Sequence, residues 1–97
     1  MIELNNENFD ELINDELVLV DFFATWCGPC RMLSPIIEEV ANEENVKVIK
    51  VDVDKHEDIA KRFGIMSIPT VIVFKNGEEV NKNIGLVSKE EILSWIK

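Results

Sequence analysis

Residues 17–30 read Leu17-Val18-Leu19-Val20-Asp21-Phe22-Phe23-Ala24-Thr25-Trp26-Cys27-Gly28-Pro29-Cys30. Residues 17–23 are almost all apolar and do not alternate with polar residues, which is typical of a central strand covered on both faces. After the cysteines, Leu33, Ile36, Ile37, Val40 and Ala41 repeat as one face of a helix. The segment therefore predicts a buried strand that leads into an amphipathic helix, with both cysteines at the junction.

Outward from this segment, apolar runs of strand length alternate with helical patterns. Further strands are predicted at residues 2–4, 46–53 and 70–74, and the Asn76-Gly77 turn predicts a hairpin whose second strand ends near Ile84. Further helices are predicted after an Asn6 cap, around residues 58–63 with Gly64 as the stop, and after a Ser88 cap. The order is β-α-β-α-β-α-β-β-α. Right-handed crossovers would make the first strands parallel, which gives a small α/β domain with helices on both sheet faces.

Two local signals refine the helices. Ser88 and Glu91 form a capping-box pattern, and Val87 and Ile92 stand where a hydrophobic staple would place them. Pro35 falls inside the second helix and is expected to bend its axis, because the proline ring displaces one backbone hydrogen bond.

Composition excludes several classes of protein. The 97 residues suit one domain, and 46% hydrophobic residues can bury a core. The net charge of −9 disfavours partners with phosphate backbones and anionic membranes. Two cysteines are too few for a disulfide scaffold. Residues 1–7 lack both a basic flank and an apolar run, so we expect no signal peptide and a reducing cytoplasmic location.

The spacing of Cys27 and Cys30 allows four interpretations. A zinc site needs about four ligands, and His56, expected to lie at a helix start, is the only histidine. A purely structural disulfide closing so short a loop would contribute only about 2 kcal/mol. Two ordinary buried thiols fit poorly with a tight Gly28-Pro29 turn between them. A redox-active dithiol is the interpretation that the pattern favours.

The position at a helix start supports the redox interpretation. A helix N-terminus stabilises a thiolate through its dipole and its unpaired amides, and the thiolate is the form that attacks a disulfide. We expect Cys27 to be the exposed, attacking thiol and Cys30, one turn further along, to be the more buried, resolving thiol. Arg31 either adds favourable charge or is an ordinary solvated side chain.

Residues 20–30 resemble the active-site signature of the thioredoxin family. Further matches follow in that family's order and spacing, so that the resemblance covers essentially the whole chain; they are Asp52-Val53-Asp54, Ile68-Pro69-Thr70, Phe74-Lys75-Asn76-Gly77 and Gly85. Trp-Cys-Gly-Pro-Cys with a downstream Ile-Pro-Thr is far more specific than a bare pair of cysteines. Phe23 and Ser67 depart from the pattern, since many members have tryptophan and glycine there.

The resemblance implies a single thioredoxin domain over residues 1–97, with a mixed sheet of about five strands flanked by four helices. It implies a monomeric thiol–disulfide oxidoreductase that reduces protein disulfides and is recharged by a thioredoxin reductase. No cofactor or metal is required, because the dithiol stores the electrons. The Gly-Pro pair favours a reductant over an oxidase or a glutaredoxin. The rival interpretation is a binding module whose thiols are incidental.

Asp21 and Lys50 are the charged residues assigned to the chemistry. A carboxyl group in a buried strand loses solvation, so its proton affinity should rise. Asp21 is either a structural ion-pair partner of Lys50, in the neighbouring strand, or the buried proton acceptor and donor for Cys30 that the resemblance implies.

Substrate is expected to dock around the cysteines. The resemblance implies a cis Ile68–Pro69 bond that leaves the Ile68 backbone free to pair with an extended substrate; otherwise Pro69 merely starts a strand. Trp26 is either part of an exposed rim or a core aromatic. An apolar docking surface is predicted from residues at the dithiol and in two later loops, namely Trp26, Gly28, Pro29, Ile65, Met66, Ile68, Ile84, Gly85 and Leu86.

Overall fold

Five strands form one mixed sheet, which four helices cover on its two faces. The computed structural model describes all of residues 1–97. The strands are β1 (Ile2–Glu3), β2 (Val18–Phe23), β3 (Lys47–Asp52), β4 (Thr70–Lys75) and β5 (Glu78–Ile84). The helices are α1 (Phe9–Ile13), α2 (Gly28–Glu44), α3 (Glu57–Arg62) and α4 (Lys89–Ile96). The predicted order of elements is confirmed.

The strand order across the sheet is β1-β3-β2-β4-β5. Strands β1, β3 and β2 run parallel, as right-handed crossovers predicted, whereas β4 runs antiparallel to β2 and to β5. Every residue of β2 is buried, which confirms the interpretation of residues 17–23 as a central strand. The carboxyl end of β2 therefore delivers the cysteine segment to the middle of one sheet edge.

Alternation along β2 separates two hydrophobic cores. Val18, Val20 and Phe22 pack with residues of α1 on one face, joined by Ile59 of α3 and by Phe63, the residue that follows α3. Leu19 packs on the other face with residues of α2 and α4. By the same alternation, Asp21 faces α2. The ionisable side chain of Asp21 therefore points into an otherwise apolar layer.

Most of the local signals were interpreted correctly. The hairpin turn is confirmed, with positive φ at both Asn76 and Gly77, the conformation that an Asn-Gly turn favours. The Ser88 hydroxyl caps α4 by accepting from the amide of Glu91 at 3.2 Å, although the reciprocal half of the capping box is not formed. Helix α2 continues through Pro35 without interruption.

The predicted cap of the first helix was wrong. Asn8 rather than Asn6 caps α1, because the Asn8 side chain accepts a hydrogen bond from the amide of Glu11 at 3.2 Å. Residues 5–7 form a local turn, in which the Asn5 amide donates to the Glu7 carboxylate at 2.6 Å. Both asparagines satisfy the residue preference for a cap, so sequence alone did not separate them.

Candidate active site

The two cysteines lie at the N-terminus of α2, as predicted. Cys27 is the N-cap residue, with φ −87° and ψ 113°, and its sulfur accepts a hydrogen bond from the amide of Cys30 at 3.2 Å. A disulfide joins the two residues, whose Cα atoms are 5.3 Å apart. Pro29 lies in the first turn of the helix, where its missing amide hydrogen costs no hydrogen bond. The cysteine sulfur thus occupies the place where a capping oxygen usually lies.

The expectation that Cys27 is exposed was wrong for the disulfide state. Cys27 is only 5% exposed and Cys30 only 3%, so burial does not strongly distinguish them. The physical reason is that both pack with Phe23 and Ala24, at the end of β2, against the partly buried Ile68. The neighbouring Gly28 and Pro29 are exposed, so the surface at this helix end is built by residues beside the sulfurs.

The Ile68–Pro69 peptide bond is cis, as the resemblance implied. The Ile68 carbonyl oxygen lies 3.9 Å from the Cys27 sulfur. The Pro69 carbonyl accepts from the amide of Gly85 at 2.8 Å, which joins this loop to the segment after β5. Neither the amide nor the carbonyl of Ile68 takes part in a backbone–backbone hydrogen bond. An extended chain can therefore pair with Ile68 immediately beside the cysteine pair.

An apolar groove of about 170 Å³ flanks the Ile68 loop. Trp26 lines it and is 67% exposed, which confirms that this residue belongs to a rim rather than to the core. Met66 projects from the loop and is 95% exposed. Val53 and Ser67, which the sequence did not assign to the docking surface, complete the lining with Ile65 and Ile68. Ser67 does not adopt positive φ, so its backbone does not require glycine.

The remaining predicted docking residues surround the same sheet edge. Gly28, Pro29, Ile84 and Leu86 are exposed, and Gly85 is half-buried. Gly85 adopts φ +100°, a backbone conformation that residues with a Cβ atom rarely adopt. Gly28 has no positive φ, and a Cβ atom there would meet nothing within 4 Å. The backbone therefore requires glycine at position 85 but not at position 28.

Sequence reasoning missed a residue that orients the rim. The Asp54 carboxylate accepts a hydrogen bond from the Trp26 indole at 2.9 Å. Asp54 follows β3, and the carboxyl ends of the neighbouring parallel strands β2 and β3 meet at one edge of the sheet. That topological rule was the signal that could have brought Asp54 to attention.

We expect Asp54→Ala to weaken substrate docking by releasing the Trp26 indole. A hydrogen bond contributes about 0.5–1.5 kcal/mol, so KM for a protein disulfide should rise about two- to tenfold with kcat nearly unchanged. Steady-state kinetics measures both constants, and Asp54→Asn, which retains an acceptor oxygen, is the matched control. An unchanged KM in Asp54→Ala would show that the indole orientation is not used in docking.

Asp21 is fully buried, and neither of its carboxylate oxygens has a hydrogen-bond partner in the protein. Burial raises the pKa of Asp21 to about 6, and the charge of Lys50 opposes this rise only in part. Loss of solvation penalises the charged carboxylate, so protonation becomes easier than in water. The raised proton affinity predicted from the sequence is confirmed.

Asp21 and Lys50 do not form the ion pair that was the structural alternative for Asp21. The Lys50 ammonium group instead donates to the Ser34 hydroxyl at 2.8 Å and lies 4.5 Å from the centre of the Phe23 ring. These contacts satisfy the lysine on the helix side of the sheet and leave the carboxyl unpaired. Lys50, Ser34 and Phe23 line a cleft of about 300 Å³ that also reaches Cys30.

His56 lies apart from the cysteines, at the N-cap of α3. Its side chain makes no capping hydrogen bond, and its Nε2 atom lies 3.0 Å from the Leu4 carbonyl oxygen. The residue therefore connects the start of α3 to Leu4, which follows β1. The zinc interpretation needed further ligands such as His56 or carboxylates beside the cysteine pair, and the structure assembles no such group of ligands.

Comparisons with known proteins agree with this geometry. The thioredoxin family model matches residues 1–97. A thioredoxin from Staphylococcus haemolyticus is 47% identical over 94 residues, covering 95% of this chain and 90% of that protein. A thioredoxin from Rickettsia bellii is 47% identical over 97 residues, covering 96% and 92%.

A solved structure shares the whole fold. A mutant thioredoxin from Halobacterium salinarum superposes with a TM-score of 0.92 at 33% identity, covering 98% of this chain and 86% of that one. The cysteine pair at the start of α2 and the cis-proline loop beside it accompany this agreement in fold. The chain belongs to the thioredoxin family and is a thiol–disulfide oxidoreductase with a redox-active cysteine pair.

Proposed function

We propose that this chain reduces disulfides in other proteins, with Cys27 as the attacking thiol and Cys30 as the resolving thiol. The observation that carries the assignment is the position of Cys27, which caps α2 with its sulfur 3.9 Å from the Ile68 carbonyl oxygen. A sulfur at the N-cap benefits from the helix dipole, and Ile68 offers a backbone for substrate pairing. Cys30 follows inside the first turn of the helix.

The proposed reaction proceeds in two exchange steps. The Cys27 thiolate attacks one sulfur of the substrate disulfide, and the other substrate sulfur leaves as a thiolate that takes up a proton. The Cys30 thiol loses its proton to the Asp21 carboxylate, and the Cys30 thiolate then attacks the Cys27 sulfur. The Cys27–Cys30 disulfide forms as the second substrate sulfur leaves as a thiolate, which takes up a proton from the solvent or from protonated Asp21. Two electrons pass to the substrate, and the substrate gains two protons.

In the proposed reaction, substrate docks on the groove beside the Ile68 loop. An extended segment pairs with the Ile68 backbone, while its apolar side chains contact Trp26 and Met66 across the groove. The Pro69 carbonyl, which accepts from the Gly85 amide, ties the loop to the segment after β5, and the exposed Gly28 and Pro29 are proposed to contact the substrate at the helix end. Backbone pairing tolerates many side-chain sequences, which suits a general disulfide reductase.

The proposed partners are disulfide-containing proteins and a thioredoxin reductase that returns two electrons to the Cys27–Cys30 disulfide. Support comes from the family and from the Gly28-Pro29 pair between the cysteines. The proposal requires no cofactor or metal beyond the dithiol. It treats residues 1–97 as one thioredoxin domain acting as a cytoplasmic monomer, without nucleic-acid or membrane partners. None of the four helices has the length and apolar composition needed to cross a membrane.

A trapping experiment tests the roles of the two sulfurs. Reduced Cys30→Ser protein, mixed with a protein disulfide, is expected to accumulate a mixed disulfide because no resolving thiol remains. Reduced Cys27→Ser protein is expected to accumulate none. Non-reducing electrophoresis followed by peptide mass spectrometry identifies the linked cysteine, and dithiothreitol should release the adduct.

The two variants act as controls for each other, since each retains one thiol in the same helix turn. An adduct on Cys30 of the Cys27→Ser protein, at a rate equal to that of its counterpart, would contradict the assignment of Cys27 as the sole attacking thiol. No adduct with either variant would instead favour a binding module whose thiols do not react with protein disulfides.

A further inference from the structure

We propose that Ser34 is a positioning residue for the proton-transfer step at the cysteine pair, because it holds the Lys50 ammonium group away from the buried Asp21 carboxyl. The proposal rests on the disulfide-reductase function proposed above and adds to it a residue that does not contact the reacting sulfurs. Its basis is a hydrogen bond, a strand register and an unpaired acid, each observed separately.

The backbone permits a direct ion pair that the side chains do not make. Asp21 and Lys50 are paired positions on the adjacent parallel strands β2 and β3, so their side chains leave the sheet on the same face. Paired positions on neighbouring strands are about 5 Å apart, and a lysine side chain is long enough to fold back across that distance. The ammonium group nevertheless lies with Ser34 and Phe23.

Ser34 comes from the helix that carries the cysteines. It lies four residues after Cys30 in α2, which places both on the same helix face, toward the sheet. The Ser34 hydroxyl accepts from the Lys50 ammonium at 2.8 Å, and the Phe23 ring attracts the same cation from 4.5 Å. A hydroxyl group and an aromatic ring together hold the lysine without neutralising its charge.

This arrangement leaves Asp21 able to accept a proton near neutral pH. A direct ion pair would favour the carboxylate strongly and make it a weaker base. With Lys50 held at Ser34, burial dominates and raises the pKa of Asp21 to about 6. The charged groups that line this cleft are Lys50 from β3 and Arg31 from α2, and the cysteine pair is present there as a disulfide. On the same sheet face β4 contributes Val71 and α4 contributes Ile92, both apolar.

The cleft that contains this contact also reaches the resolving cysteine. Ser34, Lys50 and Cys30 all line the same space of about 300 Å³. A displacement of the lysine therefore changes the electrostatic environment on the side of the disulfide where Cys30 must lose its proton. Ser34 influences that step through Lys50 and Asp21.

The test follows the Asp21 carboxyl by carbon-detected NMR titration in the oxidised protein, which requires no turnover. In Ser34→Ala the freed lysine should approach Asp21, and the titration midpoint should fall by about one pH unit. Ser34→Thr keeps the hydroxyl and should retain the wild-type midpoint. Lys50→Met should raise the midpoint, and the Ser34→Ala, Lys50→Met double variant should match Lys50→Met alone.

An Asp21 titration midpoint in Ser34→Ala that is unchanged or higher would overturn the proposal. A double variant whose midpoint differs from that of Lys50→Met by as much as Ser34→Ala differs from wild type would also overturn it. The second measurement is the pH dependence of the resolving step, in which Cys30 attacks the mixed disulfide at Cys27 after reduced protein is rapidly mixed with a disulfide substrate. This dependence should shift in Ser34→Ala in the same direction as the NMR midpoint. If the NMR shift is found but no Cys27 adduct forms, the reductase function fails while the lysine placement stands.

Discussion

Cys27→Ser is expected to lose disulfide turnover completely, to the rate that dithiothreitol supports without protein. A serine hydroxyl is not ionised near neutral pH and cannot form a mixed disulfide, so neither exchange step can begin. The measurement is reduction of a protein disulfide with dithiothreitol as electron source, comparing wild type with the variant. No other cysteine can replace the lost sulfur at the N-cap of α2, because Cys30 is the only other one.

Stability must be separated from chemistry in that comparison. The variant cannot form the Cys27–Cys30 disulfide, and closing this short loop contributes only about 2 kcal/mol. Reduced wild-type protein is therefore the matched reference for urea unfolding, and the two should unfold at similar concentrations. Equal turnover in wild type and Cys27→Ser would refute the reductase function and leave the binding-module interpretation.

Asp21→Asn is expected to stabilise the protein by about 3 kcal/mol at pH 7–8. Burial raises the pKa of Asp21 from 3.8 to about 6 in the folded state, so the folded protein binds a proton more tightly than the unfolded chain does. The stability associated with the protonated form is present below about pH 4 and is lost as pH rises toward 6. Asparagine stays neutral throughout and does not incur that loss.

Urea unfolding at a series of pH values measures this effect. The gain in free energy of unfolding should be small below pH 4, grow between pH 4 and 6, and remain constant above pH 7. Glu38→Gln, which removes an exposed carboxylate from α2, is the control and should change stability by less than about 0.5 kcal/mol. A gain that is the same at every pH would contradict the assignment of a buried, titrating carboxyl.

The same substitution is expected to slow disulfide exchange near neutral pH. Asparagine cannot accept the Cys30 proton, so the resolving step should slow while adduct formation at Cys27 is affected less. Rapid mixing of the reduced variant with a disulfide substrate separates the two steps. An unchanged resolving rate would make Asp21 a structural residue, even if the stability gain were found.

Local sequence signals correctly predicted the strand, hairpin and helix that surround the site. The unbroken apolar run before the cysteines identified β2 as a buried strand, and Asn76-Gly77 identified the hairpin, because each pattern acts within a few residues. The placement of Cys27 and Cys30 at a helix start followed from the helical face that begins at Leu33. The cis Ile68–Pro69 bond followed from the family resemblance rather than from local physics.

Errors arose where contacts join distant parts of the chain. The burial of Cys27 and the hydrogen bond between Trp26 and Asp54 each depend on how separate segments meet in space. The direction of β4 was not assigned, because the short segment containing α3 does not by itself determine whether the next strand runs parallel or antiparallel.

By itself the sequence determined that a buried strand containing Asp21 is followed by a helix that begins at Cys27 and Cys30, because periodicity, caps and turn residues act locally. Only the tertiary structure determined which groups the Lys50 ammonium in the neighbouring strand contacts. Strand register brings Lys50 beside Asp21, but Ser34 from α2 and the ring of Phe23 compete for its ammonium group. That competition depends on distances of a few ångströms between three elements, which a linear pattern of residues does not contain.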